Sequence, residues 1–342
     1  MTVTTVVDKK NRSKIGVIGA GHLGRHHIKH LCSHPSVSFV GFFDSNKEVA
    51  KKISEKFSVK SFENVEGLIS SSDGLHIVTP TNLHHSIAID CLKKNKDIFI
   101  EKPIASSIEE AEEIVAVSTK NKNIVQVGHI ERFNPTINRL KTIIKSPHFI
   151  EIERLAPFQT RGTEVPVVLD LMVHDIDLIL SMVDSNIIKI EASGATMMGT
   201  KVDVAHARIK FSNGVVANLK SSRIAQNYVR KIRTYEKNLY TITDLMIPQI
   251  ETYNIGTSSS LSSAGILGTS ASLTEKEVET ADGIKKIYYD KIIPEKKDAL
   301  LEEINNFIDC IYTRNAPVVD GTKGLRALEI ALEVEEKIIN ND

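Results

Sequence analysis

KIGVIGAGHLG, residues 14–24, decides the fold. Lys14 to Gly19 is a short apolar run, rich in β-branched residues and closed by glycine, which reads as a buried parallel strand. A helical pattern follows at once, from Leu23 through Leu31. The turn between them, Gly19-Ala20-Gly21-His22-Leu23-Gly24, has the spacing G-x-G-x-x-G. Alone that spacing is weak, because glycines also gather in turns that bind nothing. Here it follows a strand and opens a helix. An acid, Asp44, stands 20 residues beyond Gly24, at the end of the next strand SVSFVGFFD (36–44). Each part then has a task. Gly19 makes the tight turn, Gly21 lets the backbone approach a pyrophosphate, and Gly24 lets helix and strand pack closely. The helix N-terminus offers N–H donors to phosphates, beside His22 and Leu23 of the turn. Asp44 would accept hydrogen bonds from the adenosine ribose. A carboxylate there repels a 2′-phosphate, and Ser45-Asn46 supplies no arginine to receive one, so NAD is expected rather than NADP.

Outward from this unit, strands and helices alternate. Lys47 to Phe57 is helical, LHIVTP (75–80) is strand, HSIAIDCLKKN (85–95) is helix and DIFIEKP (97–103) is strand. Ser107 caps a helix whose first turn is acidic, and NIVQVGH (123–129) is strand again. This is the signature of a doubly wound, mostly parallel α/β sheet of the Rossmann type. After a helix near 134–145 the rhythm changes to polar/apolar alternation: HFIEIERLA, IIKIEASGATMMG, DVAHARIKFSNGVVANLKSSR and VRKIRTYEKNLYTITD. Ser212-Asn213-Gly214 lies between two such runs as a hairpin signal. One helix, about Val167 to Met182, interrupts them, and two helices near 296–313 and 322–340 close the chain. The reading is an α+β domain with a large, mostly antiparallel open sheet. Its Ser/Gly-rich stretch 256–272 is expected to be a mobile loop. The expected organisation is a flexible tail at 1–12, a dinucleotide-binding domain at 13–130, and a substrate and oligomerisation domain at 131–342. In it the closing helices pack back toward the first domain.

Composition agrees with a globular protein of two domains: 342 residues, 41% hydrophobic and 25% charged. Lys+Arg and Asp+Glu both number 43, so no global field favours nucleic acid or an anionic membrane. Cys32, Cys91 and Cys310 are sparse and far apart, without disulfide or metal-ligand spacing, which points to a reducing, cytoplasmic setting. The opening MTVTTVVDKKNRSK lacks the apolar core of a signal peptide, and no run approaches the ~18 apolar residues of a membrane span.

Two further motifs are expected where an open α/β sheet takes ligands, beyond the carboxyl ends of its strands. Glu101-Lys102-Pro103 closes one strand and sets a lysine beside the expected nicotinamide. By itself a Lys before Pro is an ordinary surface residue. Asp170-Leu-Met-Val-His174 puts an acid and a histidine four apart, on one face of a helix. Removing a hydride from a secondary alcohol needs a base for the hydroxyl proton, and histidine suits that near neutral pH. By itself this pair too reads as a helix-terminal acid with an incidental histidine.

Together and in this order, the motifs resemble the Gfo/Idh/MocA family of sugar and cyclitol dehydrogenases, over nearly the whole chain. The resemblance implies Lys102, His174 and Asp170 as the catalytic and substrate-binding set, with either His174 or Lys102 taking the proton. It implies that Thr79, Asn82 and His84 line the nicotinamide side, with Glu101 and Gln126 as neighbouring cofactor contacts. Met172 stands where that family often has glycine, but the Asp–His spacing is kept. VGHIERFNP (127–135) and LDLMVHDIDLIL (169–180) look like the branch that oxidises UDP-N-acetylglucosamine at C3. That reaction feeds an aminotransferase on the route to the diamino sugars of lipid A.

A nucleotide-sugar carries two negative charges, and arginine suits bidentate phosphate binding. Arg132, Arg139, Arg154, Arg161 and Lys201 are candidates, with Arg132 and Arg161 preferred; Tyr228, Arg230 and Arg233 are the substitutes. The rival readings are an inositol or free-aldose dehydrogenase of the same family and a non-catalytic NAD-binding sensor. One face of the second sheet has no helix to cover it. An apolar face there would find a second copy, giving a homodimer or homotetramer.

Overall fold

Two sheets organise the chain, and the contacts divide it into two units, Met1–Phe133 with Asp298–Leu328 and Asn134–Lys297 with Glu329–Asp342. The computed structural model describes residues 12–159, 165–256, 274–281 and 283–340. The expected tail, apart from Arg12, and the Ser/Gly-rich stretch from 257 onward lie outside the described residues.

The first unit holds a parallel sheet of five strands: β1 (Ser13–Ile18), β2 (Val37–Phe43), β3 (Gly74–Ile77), β4 (Asp97–Glu101) and β5 (Val125–Gly128). Their order is β2-β1-β3-β4-β5, so the chain leaves β1 in one direction and returns to fill the other side from β3 onward. Right-handed crossovers then put helices on both faces and open a crevice at the strand ends where the direction reverses, between β1 and β3. The helices are α1 (Gly24–Ser33), α2 (Lys47–Phe57), α3 (Val65–Ser71), α4 (His84–Lys93) and α5 (Ile108–Asn121). The sequence reading lacked α3, whose seven residues are too short for a clear period.

Residues 298–328 belong to this first unit. They carry α8 (Ala299–Thr313) and the start of α9 (Gly321–Ile339), while α6 (Pro135–Ile143) and α7 (Val173–Met182) belong to the second unit. Ile304, Phe307, Ile308 and Cys310 of α8 join the core formed by Ile15, Val17, Ile28, Leu31, Phe42 and Phe99. Hydrogen bonds fasten the join. Val127 N–H donates to Val319 O (2.9 Å), and Gln126 Nε2 donates to Glu303 O (2.9 Å). Arg314 grips Asp97 through two nitrogens, one of them 3.1 Å from Oδ1.

The second unit holds nine strands: β6 (Phe149–Leu155), β7 (Ile187–Ala195), β8 (Val204–Phe211), β9 (Val216–Ser222), β10 (Val229–Tyr235), β11 (Leu239–Asp244), β12 (Gln249–Ile255), β13 (Thr274–Thr280) and β14 (Gly283–Ile292). Their order is β13-β14-β12-β11-β10-β6-β9-β8-β7, antiparallel except for the β6–β9 pair. The hairpin expected at Ser212-Asn213-Gly214 joins β8 to β9, with Gly214 at φ +92°. On one face, Ile150, Ile152, Ala205, Ala207, Ile209, Ala217, Leu219 and Ile232 form a core with the helix residues Val173, Ile176, Ile179, Val334 and Ile338. Gly194 allows the last helix to approach β7, since a Cβ there would lie 2.8 Å from the Ile338 methyl.

The opposite face is less apolar than its sequence suggested. Its β7–β8–β9 side carries Glu191, Ser193, His206, Arg208, Asn218 and Lys220 around a shallow depression. Its other side carries a ladder of five rings, Phe149, Tyr235, Tyr240, Tyr253 and Tyr289, one from each of β6, β10, β11, β12 and β14. Successive ring centroids are 5.6, 4.8, 5.5 and 5.1 Å apart. Such cross-strand aromatic pairs are the unit of sheet stabilisation on an open face.

Candidate active site

The glycine turn shows why it has three glycines. Gly19 sits at φ +94°, and a Cβ there would lie 2.3 Å from Val78 O. At Gly24 a Cβ would lie 1.9 Å from Gly19 O, so the first turn of α1 rests directly on the end of β1. Nothing lies within 4 Å of a Cβ at Gly21, which leaves open space over the turn. Helix α1 has no side-chain cap, whereas α2, α3 and α5 are capped by Asn46, Asn64 and Ser107. An uncapped N-terminus beside open space is an anion site. His22 and Leu23 are exposed beside it, and Arg25 donates to His22 Nδ1 at 2.9 Å. Asp44, at the end of β2, accepts from Ala20 N–H and Asn46 N–H, both at 2.8 Å. The carboxylate therefore ties the second strand to the glycine turn, and its half-exposed oxygens keep lone pairs for a ribose.

Thr79, Asn82 and His84 follow β3. Thr79 Oγ1 is buried with no hydrogen-bond partner, and so is Gln126 Oε1 on β5. Thr79 Oγ1, just past the end of β3, is what a polar ligand in the crevice would satisfy, whereas Gln126 lies within β5 with its amide turned to Glu303 of α8. Together with the uncapped helix, Thr79 makes the residues present a fit for a dinucleotide. Asn82 is exposed on a single turn, Thr81–Leu83. His84 is 1% exposed, and its two ring nitrogens each lie 2.9 Å from a carbonyl oxygen, those of Pro103 and Thr79. Burial pushes His84 down, against the two carbonyls, which favour its protonated form. Set between these two carbonyls, the ring clips together the loops after β3 and β4.

Lys102 is half-buried at the end of β4, followed by a cis bond to Pro103. Glu101 turns the other way. Its carboxylate accepts from Lys102 N–H (3.2 Å) and from His27 Nε2 (3.2 Å), and its side chain is 14% exposed. Burial pushes the Glu101 carboxyl up, but the hydrogen bond from His27, then the charge and backbone N–H of Lys102, outweigh it and hold it below the usual range. Folding thus favours its ionised form; that stabilisation is present above the ordinary carboxylate range and lost as pH falls through the folded value.

In the second unit, Asp170 lies in a π-helical turn, Val168–Met172, that runs into α7 (Val173–Met182), where His174 is the second residue. The sequence suggested a plain α-helix. The extra residue per turn shows in the bond from Val173 N–H to Val168 O, five back. Residues four apart stay on one side of a π-turn as of an α-turn, and both Asp170 and His174 are half-buried. Met172 is fully buried in the core, which accounts for a large residue where glycine is common.

Of the arginine candidates, Arg132 is half-buried on the short turn Ile130–Phe133 and Arg139 bonds Thr142 on its own helix. Arg161 lies outside the described residues. Arg154 is not a phosphate ligand: it is 4% exposed and holds Asp175 of α7 with Nε 2.9 and 3.0 Å from the two carboxylate oxygens. Arg233 pairs in register with Glu151 on the outer sheet face, beside the ring ladder.

The two halves match known families. Residues 13–129 match an oxidoreductase family with an NAD-binding Rossmann fold, and residues 154–236 match the GFO/IDH/MocA C-terminal domain. The chain is 31% identical, over 94% of its length and 96% of the relative's, to UDP-N-acetylglucosamine 3-dehydrogenase of Acidithiobacillus ferrooxidans. The chain belongs to the Gfo/Idh/MocA family.

The solved structure of that Acidithiobacillus enzyme superposes with TM-score 0.83 at 29% identity, covering 96% of this chain and 98% of that one. Scyllo-inositol dehydrogenase from Lactobacillus casei, solved with NAD(H) and scyllo-inositol, shares the fold with TM-score 0.75 at 19% identity, covering 97% and 98%. This family member is therefore an NAD-binding sugar dehydrogenase. Its glycine turn gives a direct test. Gly24→Ala must displace the first turn of α1, loosening the N–H groups that would face a pyrophosphate. Losing one charge-assisted bond worth about 1.5–3 kcal/mol lowers NADH affinity by roughly 10- to 100-fold, read by fluorescence titration. Unchanged affinity would remove the turn from the cofactor site.

Proposed function

We propose that this chain oxidises the C3 hydroxyl of UDP-N-acetylglucosamine to the 3-keto sugar. The observation that carries the reading is the near full-length similarity to the Acidithiobacillus UDP-N-acetylglucosamine 3-dehydrogenase. The presence of Lys102, Asp170 and His174 at their motif positions supports it. Bound NAD supplies the hydride acceptor. His174, or the Lys102/His174 pair titrating together, takes the hydroxyl proton. Asp170 accepts hydrogen bonds from sugar hydroxyls and holds the ring in place. Arg132 and Arg161 bind the diphosphate. Gly19, Gly21, His22, Leu23, Gly24, Asp44, Thr79, Asn82, Glu101 and Gln126 frame the cofactor, with His84 shaping the loops.

A 3-keto sugar is the substrate an aminotransferase needs, which sets the chain in a cytoplasmic route to lipid A diamino sugars. Among the described residues no helix is long and apolar enough to cross a membrane. The ring ladder on the open sheet is the surface through which a second copy would pack, and sedimentation at working concentration tests that directly.

The deciding experiment follows NADH absorbance with UDP-N-acetylglucosamine, adding a 3-keto-sugar aminotransferase to draw off product. Turnover that requires both NAD and the UDP-sugar supports the reading. Turnover on inositol or a free aldose without benefit from UDP replaces it with a polyol dehydrogenase. Tight NAD binding with silence on every sugar replaces it with a sensor.

A further inference from the structure

Beneath the lysine loop, the first unit buries a chain of three titratable side chains that the proposed reaction does not use as such. Glu101 at the end of β4 meets His27 Nε2 of α1, and His27 Nδ1 lies 2.9 Å from His76 Nδ1 on β3. His27 and His76 are 1% and 0% exposed. His76 stacks on Phe99 with centroids 4.7 Å apart and meets the edge of Phe307 at 5.2 Å. His76 Nε2 is buried with no hydrogen-bond partner.

Geometry limits where the protons sit. The His27–His76 contact joins two like nitrogens, so only one of them carries the proton. If neutral His27 supplied it, the bare Nε2 of His27 would face the Glu101 carboxylate, acceptor against acceptor. His76 would then carry its proton on Nε2, a donor aimed at aromatic rings with no oxygen to receive it. If His76 supplies it, both faults vanish: His76 Nδ1–H donates to His27, and His27 Nε2–H donates to Glu101. What remains is a bare ring nitrogen at His76 Nε2, less demanding than a stranded donor or an apposed pair of acceptors. A third arrangement, with His27 as imidazolium, again strands the His76 Nε2–H.

We propose that His27 is a positioning residue for the Glu101-Lys102 segment, holding it through a directed relay from His76 Nδ1–H through His27 to the Glu101 carboxylate. His27 lies on the helix whose N-terminus faces the phosphates, and Glu101 receives the backbone N–H of Lys102. The relay therefore couples the cofactor helix to the lysine loop inside one unit. Burial, then the neighbouring His27 and His34, keep His76 neutral, in agreement with its place at the head of the relay. The charged and titratable groups around the chain are His30 on α1 and His34 just past its end, with Asp298 and Asp309 beyond them, and Lys102 on the loop.

The relay makes a split between two similar variants. Asparagine places its amide near the Nδ1 position of histidine, and glutamine near Nε2. His27→Gln keeps a donor for Glu101; His27→Asn keeps contact with His76 and removes that donor. A buried carboxylate without its donor rises toward neutrality by about one pH unit or more.

The test is nitrogen NMR of 15N-histidine protein, with carboxyl NMR of Glu101 assigned through Glu101→Gln. Protons on His27 Nε2 and His76 Nδ1 are expected in the wild type. The Glu101 midpoint, and the acid limb of turnover, should move up in His27→Asn and stay in His27→Gln. A proton on His27 Nδ1 with His76 protonated at Nε2 overturns the relay, and so do Asn and Gln variants that titrate alike. The NMR readouts need no substrate, so their outcome stands apart from the assignment of the sugar.

Discussion

Lys102→Met lowers turnover by about 10²–10⁴-fold, the usual worth of a group that moves or stabilises a proton in the transition state, and leaves NADH affinity nearly intact. Methionine keeps the length and apolar stem of the side chain and removes only its charge. The backbone is held independently of that charge, by Glu101 on one side and the buried Pro103 on the other. The glycine turn and Asp44, proposed to hold the cofactor, are in other loops. Single-turnover kinetics beside a direct NADH titration separate the two effects. Parallel loss of turnover and NADH binding would mean that Lys102 holds the cofactor and does not serve the chemistry.

Asp175→Ala has the largest expected effect on stability. It removes the carboxylate that holds the Arg154 guanidinium, 5% exposed, in the core of the second unit. Removing one partner of a buried ion pair costs about 3–5 kcal/mol, whereas an exposed pair is worth about 0–1. Urea unfolding monitored on the second unit should show the larger figure. Replacing both partners, as Arg154→Met with Asp175→Leu, should recover most of it, because the desolvation penalty goes with the charges. A single variant that loses under about 1 kcal/mol would place the pair among exposed contacts. The pair also anchors the start of α7 to β6 beside His174, the proposed base.

Much of this was legible because it is local. Strand, glycine turn and helix succeed one another within residues 13–33, and the acid at 44 closes the pattern without tertiary information. Ser107 as a cap and Gly214 as a turn glycine are equally local. The misreading of Arg154 had a remedy in the same strand. Ile150, Ile152 and Arg154 alternate on one face, so the period of two already set the arginine inward. Charge weighed more than register in that reading. The π-turn at Asp170 had no such signal, since VLDLM is equally compatible with an ordinary helical turn. His27, His76 and Glu101 are 49 and 74 residues apart in their pairings, and only the strand order brings them together. The same holds for the outer sheet face: each tyrosine alternates in its own strand, but the ladder exists only once four registers are fixed.

The split of the first unit also bears on how the chain is made. About 165 residues, from Phe133 to Asp298, separate the parallel sheet from the helix that completes its core. At the roughly 5–20 residues per second of ribosomal synthesis, the sheet waits on the order of ten seconds or more for Ile304, Phe307 and Ile308. During that interval the nascent sheet has its apolar surface around Phe99 unfilled, and His76 lacks its Phe307 neighbour. The hairpins of the second unit emerge while this gap stands, and transiently exposed apolar surface of this kind is what favours aggregation during synthesis.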